Sequence, residues 1–462
     1  MILRDFKPVL FDGAYQKGEW TLDRYLAKGG YTAAMKVLAM PRNPATNSVP
    51  ALIDDVKKSG LRGRGGAGFM TGTKWGLVDF KSPQPRYLAA NFDESEPGTC
   101  KDRVVGMYNP HMLIEGCLIA MHTVGIEWGY IYIRGEFVVE FEHLVKACAE
   151  AYGAGFLGKN VLGSGHAFHI QPHRGSGAYI CGEETGLLSS LEGGRGYPKV
   201  KPPFPAVEGA WGCPTVVNNA STIASLPYLI RVGSGTYVNI GARPGPKGTV
   251  VVNLSTGPQV YCLSGHVKKP GLYEHPMNIT MRELIYNESF GGGMQDDIPI
   301  KAVIPGGASM PVMRYDGKPY VGSNGKEITD TLDLEMSFDS LRAAGSMLGS
   351  AAVIVMNERV CMVNALYNLT RFYHHESCGQ CTPCREGTGW LEKIMGKIVH
   401  GHAKPGDFER LHNVATQMSG TTICLLSDSV AMPVGSFVTK FKEEFKYYCE
   451  QGKSMVKDAI RL

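Results

Sequence analysis

At 462 residues the chain is too long for one hydrophobic core and predicts two to four domains. A composition of 44% hydrophobic and 19% charged residues is that of a soluble globular protein. A net charge of +4, from 47 basic against 43 acidic residues, excludes the basic footprint of a nucleic-acid binder. Twelve cysteines spread over this length do not make a secreted disulfide scaffold, which is short and cysteine-dense. Met1–Leu10 lacks the apolar run of a signal peptide, and no stretch reaches the roughly 18–20 apolar residues of a membrane helix. These features predict a reducing, cytoplasmic setting, with any membrane association supplied by partner subunits.

Residues 1–50 read as an extended arm with one short helix near Tyr31–Met40, stopped by Pro41. Ser48-Val-Pro50 opens a helix through Lys58, because proline suits a first turn, and Gly60 ends it. Strand-like runs then alternate with glycine-rich turns and helical stretches to about Ile240. Arg86–Asn91, Tyr130–Ile133 and Ala178–Cys181 are such runs, the pattern of an α/β sheet. Gly233–Gly248 has a linker's composition. Beyond it, Thr249–Leu254 and Gln259–Leu263 read as strands around a Ser255-Thr-Gly-Pro258 turn. Thr280-Met-Arg-Glu283 is a capping box, and Lys301–Ile304 closes a small α+β domain. From Leu341 onward the pattern is helical. Val360, Val363, Leu366, Leu369 and Phe372 form one apolar stripe, and Phe437, Phe441 and Phe445 form another on a terminal helix. Both stripes are core packing, and no internal repeat interrupts them.

Cys378-Gly-Gln-Cys381-Thr-Pro-Cys384 places three thiols in one loop, each separated by two residues. Iron–sulfur clusters take cysteine thiolates, and this spacing lets a short loop supply three of the four. Where a ferredoxin run has its next Cys, this chain has Thr388, so the fourth ligand lies elsewhere. Zinc is the competing occupant. It favours paired C-x2-C units, or Cys with His at helical spacing, and His374 and His375 lie just upstream.

Gly60 to Phe69 holds five glycines and a G-x-G-x-x-G match at Gly63, Gly65 and Gly68. A dinucleotide fingerprint needs a strand before it, whereas Ala51–Lys58 is helical. Glycines nonetheless let backbone N–H groups approach phosphate or a planar ring, and Arg62, Arg64 and Lys74 supply charge. A plain surface loop would not set Phe69 and Trp75 among those cations. Asn91, Asp93, Glu94 and Glu96 follow one strand-like run, and Gly182, Glu183 and Glu184 follow another. Ligands of open α/β sheets bind at such strand ends, where carboxylates accept bonds from ribose and repel a 2′-phosphate. Acids in a first helical turn also serve the helix dipole. His166, His169 and His173 are too unevenly spaced for a metal site.

GLRGRGGAGF (60–69), NFDESEPG (91–98), RGSGAYICGEETGLLSSLEG (174–193), KPPFPA (201–206), PGGAS (305–309), GSMLG (345–349) and ESCGQCTPCREG (376–387) recur in order along most of the chain. Together they closely resemble the FMN- and NADH-binding flavoprotein subunit of respiratory complex I. The resemblance implies an α/β and α+β multidomain chain. Its expected parts are an N-terminal arm (1–50), a Rossmann-like FMN domain (51–240), a ubiquitin-like β-grasp domain (247–335) and a helical bundle with one [4Fe-4S] cluster (340–462). It implies FMN held by Gly63, Arg64, Gly65, Gly66, Ala67, Gly68, Lys74, Asn91, Asp93, Glu94, Tyr179, Gly182, Glu183, Asn218 and Asn219. NADH would stack on the flavin with Phe69 and Phe204 at its adenine and Lys201 nearby. Glu96 and Glu184 would meet the nicotinamide nucleotide and disfavour NADPH. Many relatives carry an aromatic residue where this chain has Leu77, which removes a stacking contact worth about 0.5–1.5 kcal/mol.

The family's fourth cluster ligand lies about 40 residues past the triplet, a place that Cys424 fills. Cys361 and Cys449 read as packing thiols, as do the remaining cysteines. Implied partners are a thioredoxin-like [2Fe-2S] subunit and a large iron–sulfur subunit, with the membrane arm reached only indirectly. The implied place is the cytoplasmic face of the inner membrane. The diaphorase subunit of an NAD-linked hydrogenase or formate dehydrogenase is the alternative, and a non-catalytic electron-transfer or scaffold subunit is a third.

Overall fold

A computed structural model describes residues 6–16, 18–244, 250–251 and 255–459. The chain forms two compact units. One comprises Met1–Ser95, Cys100–Val260 and Glu274–Asn278; the other comprises Glu96–Thr99, Tyr261–Tyr273 and Ile279–Leu462.

The first unit runs α1 (Leu22–Ala27), α2 (Thr32–Leu38), α3 (Pro50–Lys58), α4 (Thr71–Gly76), β1 (Tyr87–Phe92), α5 (Lys101–Tyr108), α6 (Pro110–Val124), β2 (Trp128–Ile133), α7 (Val138–Gly153), β3 (His169–Arg174), α8 (Glu184–Leu191), β4 (Thr215–Asn219), α9 (Ala220–Ala224), α10 (Leu226–Val232) and α11 (Ser234–Tyr237). Strands β1 to β4 form a parallel sheet in the order β3-β2-β1-β4. Helix α6 is buried along its whole length, as an apolar helix packed on several sides must be. Three of its polar residues take partners from the N-terminal arm. Glu115 takes the Tyr25 hydroxyl and the Ala34 N–H, His111 bonds Tyr31, and His122 bonds the Met40 carbonyl. The arm holds two helices where the sequence predicts one.

Helix α3 starts at Pro50 as expected, and β1 and β2 coincide with the expected strands. Ala178–Cys181 is not a strand. Residues Tyr179–Gly182 form a 3-10 turn, closed by Cys181 N–H on the Ala178 carbonyl at 3.0 Å. The strand at that point in the sheet is β3, on the histidine-bearing segment.

Short strand β5 (Arg243–Pro244), inside the expected linker, pairs antiparallel with β6 (Val250–Val251), which falls within the expected strand Thr249–Leu254. The expected strand Thr249–Leu254 otherwise lies outside the described residues. Strands β7 (Pro258–Gly265) and β8 (Gly271–Pro276) follow.

The second unit continues with α12 (Met281–Tyr286), β9 (Ile300–Ile304), β10 (Met313–Arg314), β11 (Tyr320–Val321), β12 (Glu327–Ile328), α13 (Phe338–Ala343), β13 (Ala352–Asn357), α14 (Met362–Glu376), α15 (Thr382–Val399), α16 (Asp407–Met418), α17 (Leu426–Lys440) and α18 (Lys442–Gln451). Thr280 and Glu283 form the expected capping box on α12. The sheet order is β10-β9-β13-β7-β8, with β13 parallel to β7 and antiparallel to β9. A hairpin, a helix and a last strand inserted parallel beside the first make a β-grasp. Its central strand therefore comes from 352–357, beyond the 247–335 range expected for this domain and inside the range assigned to the bundle. The three phenylalanines are buried, but the expected single terminal helix breaks at Phe441, whose φ of −122° separates α17 from α18. Among the described residues no helix is long and apolar enough to cross a membrane.

Candidate functional site

Strand order reverses at β1, since β2 and β3 lie on one side of it and β4 on the other. The crevice beyond the carboxyl ends of β1 and β4 is therefore the topological switch point, where open α/β sheets bind ligands. Asn91 at the end of β1 is in register with Asn219 at the end of β4. The glycine loop joining α3 to α4 closes onto this point. Arg64 N–H donates to Thr222 Oγ1 at 2.8 Å, and a Cβ on Gly65 would come within 3.0 Å of the Asn219 Cβ. Gly66 at φ +125° and Gly68 at φ +62° occupy backbone space that disfavours other residues. Gly63 N–H and the Phe69 carbonyl, 2.8 Å apart, pin the two ends of the loop together. Gly65 and Ala67 stay exposed at its tip.

The cations divide into two kinds. Arg64 is buried, and its guanidinium donates to the carbonyls of Arg62 (2.8 Å), Thr256 (2.9 Å) and Pro258 (3.1 Å). The charge that the sequence offers to a phosphate is thus used to clamp the loop from behind. Lys74 and Lys201 instead converge on Glu184, at 2.9 and 3.2 Å. Burial alone would raise the Glu184 carboxyl, but Lys74 and then Lys201 outweigh it, so this carboxylate titrates below its ordinary range. Burial would likewise lower Lys201, and its bonds to Glu183 and Glu184 reverse that. Glu183 caps α8, accepting from the Thr185 and Gly186 N–H groups at 2.7 and 2.9 Å.

The acids after β1 are also placed. Asn91 Nδ2 donates to the Gly182 carbonyl at 2.8 Å, and a Cβ on Gly182 would stand 3.3 Å from the Asp93 carbonyl oxygen. Glu94 is buried and accepts from the Asp102 and Arg103 N–H groups at 2.9 and 3.0 Å, at the start of α5. Burial, followed by the charge of Asp102, pushes its carboxyl up to about 8. Asn218 Oδ1 accepts from the Trp75 ring at 2.9 Å. Tyr179 is half-buried, while Phe69, Leu77 and Phe204 are exposed apolar side chains of this unit.

Sequence reasoning missed Lys101, Asp102, Ser221 and Thr222. Asp102 accepts from Lys101 Nζ (2.8 Å), Asn219 Nδ2 (2.7 Å), the Ser221 N–H (3.1 Å) and the Ser221 hydroxyl. A Lys-Asp pair at a helix start looks solvated in sequence, and only the Ser221-Thr222 hydroxyls at the start of α9 hint at an acceptor nearby.

Within the second unit, Glu96 accepts from Ser309 N–H at 2.7 Å and Ser309 Oγ at 2.8 Å. Ser309 Oγ also bonds the buried Tyr373 hydroxyl at 2.7 Å.

The thiols gather around the start of α15, where Cys381 is the N-cap and Cys384 lies in the first turn. The positive end of an 18-residue helix dipole therefore faces them. Ile423 N–H reaches Cys381 Sγ at 3.4 Å, which brings the loop of Cys424 onto the triplet. Burial pushes the Cys384 thiol up, against a bond from Ser377. None of the four cysteines is joined in a disulfide. Among the described residues no three His, Cys, Asp or Glu converge tightly enough for a single metal ion. Three thiols on one loop, with a fourth on the loop that touches them, are a donor set that suits a four-iron cluster.

Comparison with known proteins agrees with this division. Residues 56–228 match the Nuo51 FMN-binding domain. Residues 364–448 match the NADH-ubiquinone oxidoreductase-F iron-sulfur binding region. The F 2 subunit of NADH-quinone oxidoreductase from Rhizobium meliloti (strain 1021) is 44% identical over 446 residues, covering 96% of this chain and 98% of that protein. The corresponding F subunit of NADH-quinone oxidoreductase from Rickettsia typhi (strain ATCC VR-144 / Wilmington) is 48% identical over 396 residues, covering 86% and 88%. Among solved structures, an NAD+-reducing [NiFe]-hydrogenase in the H2-reduced state matches with a TM-score of 0.75 and 30% identity. The match covers 92% of this chain and 66% of the hydrogenase chain.

Proposed function

This chain belongs to the family of NADH-quinone oxidoreductase F subunits, and we propose that it is the NADH-oxidising flavoprotein of such a complex. FMN held by the glycine loop and the strand ends beneath it would supply hydride acceptance from NADH and single-electron release, and a [4Fe-4S] cluster held by Cys378, Cys381, Cys384 and Cys424 would supply one-electron transfer. The observation that carries this reading is the glycine loop closed over the β1–β4 switch point, with Asn91 and Asn219 in register beneath it.

The chain's own residues supply binding and electrostatics. Backbone N–H groups at the Gly65–Gly68 tip of the loop would approach the cofactor, with Gly63 and Arg64 fixing its base, and Asn91, Asp93, Tyr179, Gly182, Asn218 and Asn219 would hold its other edges. Arg64 and Glu94 act from behind, as loop clamp and helix anchor. Lys74 and Lys201 keep Glu184 ionised at the site, and Glu183 fixes the helix that presents it. Glu184 is the carboxylate of this unit that excludes a 2′-phosphate and favours NADH. Phe69 and Phe204 receive the adenine, and Leu77 adds apolar contact without an aromatic face. Cys378, Cys381, Cys384 and Cys424 hold the cluster.

The partners in this reading are a thioredoxin-like [2Fe-2S] subunit and a large iron–sulfur subunit. Through them the chain sits on the cytoplasmic face of the inner membrane. The test is NADH:ferricyanide activity measured alongside FMN extraction. NADH bleaching of a stoichiometric bound flavin is expected, and a colourless flavin region with no such activity would sink the reading. The hydrogenase match favours a second reading, the diaphorase of an NAD-linked hydrogenase. Electron delivery to quinone, rather than from hydrogen to NAD+, separates the two.

A further inference from the structure

Helices α15 and α16 present to solvent a groove of about 340 Å3 that the electron-transfer role does not account for. On α15 it is lined by Trp390, Lys393, Ile394 and Lys397, the i, i+3, i+4, i+7 positions of one face. On α16 the same spacing recurs at Arg410, Asn413, Val414 and Gln417, with the amides of Asn413 and Gln417 bonded to each other at 2.7 Å. Two such faces side by side form a seat for a third helix.

The chemistry of the seat is one-sided. Trp390 is 54% exposed, and Ile394 and Val414 are half-buried beside it. Among the described residues neither Lys393 nor Lys397 has a carboxylate within ion-pairing distance. Arg410 is held by Asp407 in the preceding turn, and Glu386, one turn before Trp390, is held by Arg385 at 2.9 Å. An exposed Trp beside half-buried aliphatic side chains is the composition of a binding hot spot, and the two lysines beside it add positive charge that selects an acidic partner. The same two helices frame the thiols. Helix α15 begins at Cys381, and α16 leads into the loop whose Ile423 N–H touches that cysteine's sulfur.

We propose that this groove is the docking surface for an amphipathic, acid-flanked helix of the protein that takes electrons from the cluster. The apolar face of that helix covers Trp390, Ile394 and Val414, and its carboxylates pair with Lys393 and Lys397. The proposal rests on the reading of the four thiols as a cluster site.

Zero-length carbodiimide cross-linking of the intact complex tests it. Lys393 or Lys397 should join an Asp- or Glu-rich helical peptide of another subunit, and the yield should fall as salt is raised from 50 to about 500 mM. A Lys393→Glu/Lys397→Glu chain should keep its NADH:ferricyanide rate while co-purification of that subunit and the NADH:quinone rate fall at least about tenfold, the effect of some 1.4 kcal/mol. Cross-links only within the chain itself, or a double variant with full co-purification and quinone activity, would overturn the proposal. Protection of the two lysines from acylation by lipid alone would assign the groove to an anionic membrane and also overturn it. A double variant that lost ferricyanide activity would leave the decision to the cross-links of the unaltered complex. Loss of ferricyanide activity in the unaltered complex would instead count against the flavin reading.

Discussion

Asn219 Nδ2 donates to Asp102 Oδ2 at 2.7 Å, so the residue at the end of β4 is fixed from the start of α5. Asp102 is 1% exposed and also pairs with the equally buried Lys101. It joins two helix starts, α5 through its own position and α9 through Ser221, beneath the glycine loop. Removing one member of a buried pair leaves an uncompensated charge and costs about 3–5 kcal/mol. Asp102→Asn should therefore lower the melting temperature and the FMN content of the purified protein together. An unchanged melting curve and full flavin occupancy would show that Asn219 does not depend on it.

Glu94 gives the site a defined pH response. Its folded carboxyl is raised from 4.5 to about 8, by burial first and then by Asp102. The folded state thus binds a proton that the unfolded chain has released. This contribution is complete below about pH 4.5 and is lost as pH rises through about 8. Stability should fall across that window with a slope of at most about 1.4 kcal/mol per pH unit. Glu94→Gln, neutral at every pH, should flatten that part of the denaturation profile. Equal slopes in the two proteins would mean that Glu94 is ionised in the fold.

The arm has its own latch. Glu274 is buried and accepts from the Val9, Leu10 and Phe11 N–H groups at 2.9–3.1 Å. Glu274→Ala leaves those donors without their acceptor, at a cost of about 1–3 kcal/mol for each that stays buried. Limited proteolysis should then cut within the first twenty residues at least about tenfold faster. The rest of the chain should stay intact. Cleavage at the wild-type rate would show that the arm is held by α1 and α2 alone.

Features written in local chemistry were legible in the sequence. The capping box at Thr280, the helix start at Pro50 and the cysteine triplet each depend on neighbours within a few residues. Other features depend on distant partners. Strand β13 belongs to the β-grasp only because Val353 meets Leu263 across 90 residues of chain, and nothing local marks that pairing. Tyr179–Gly182 has a strand's composition, but Glu183 caps α8 and draws the preceding residues into a turn. Arg64 was visible as a cation of the loop. Its burial against the Thr256 and Pro258 carbonyls was not, because those acceptors lie nearly 200 residues away. For the same reason the four cysteines proposed for the cluster divide three and one. The triplet announces itself by spacing, while Cys424 is placed by resemblance and by the contact of its neighbour.

That contact sets the last prediction. Ile423 N–H lies 3.4 Å from Cys381 Sγ, so residue 424 follows immediately after a backbone group already touching a candidate ligand. Cys449 is the control. It lies in α18, and burial raises its thiol to about 11, which keeps it protonated and inert at neutral pH. In protein reduced with dithionite, Cys424→Ser should abolish or reshape the cluster's electron paramagnetic resonance spectrum and lower the iron content. Cys449→Ser should leave both as they are. The flavin should still be reduced by NADH in each variant, because the Gly63–Gly68 loop and the thiols belong to different units. An unaltered spectrum in Cys424→Ser would require the fourth ligand to come from another residue, and a changed one in Cys449→Ser would name it.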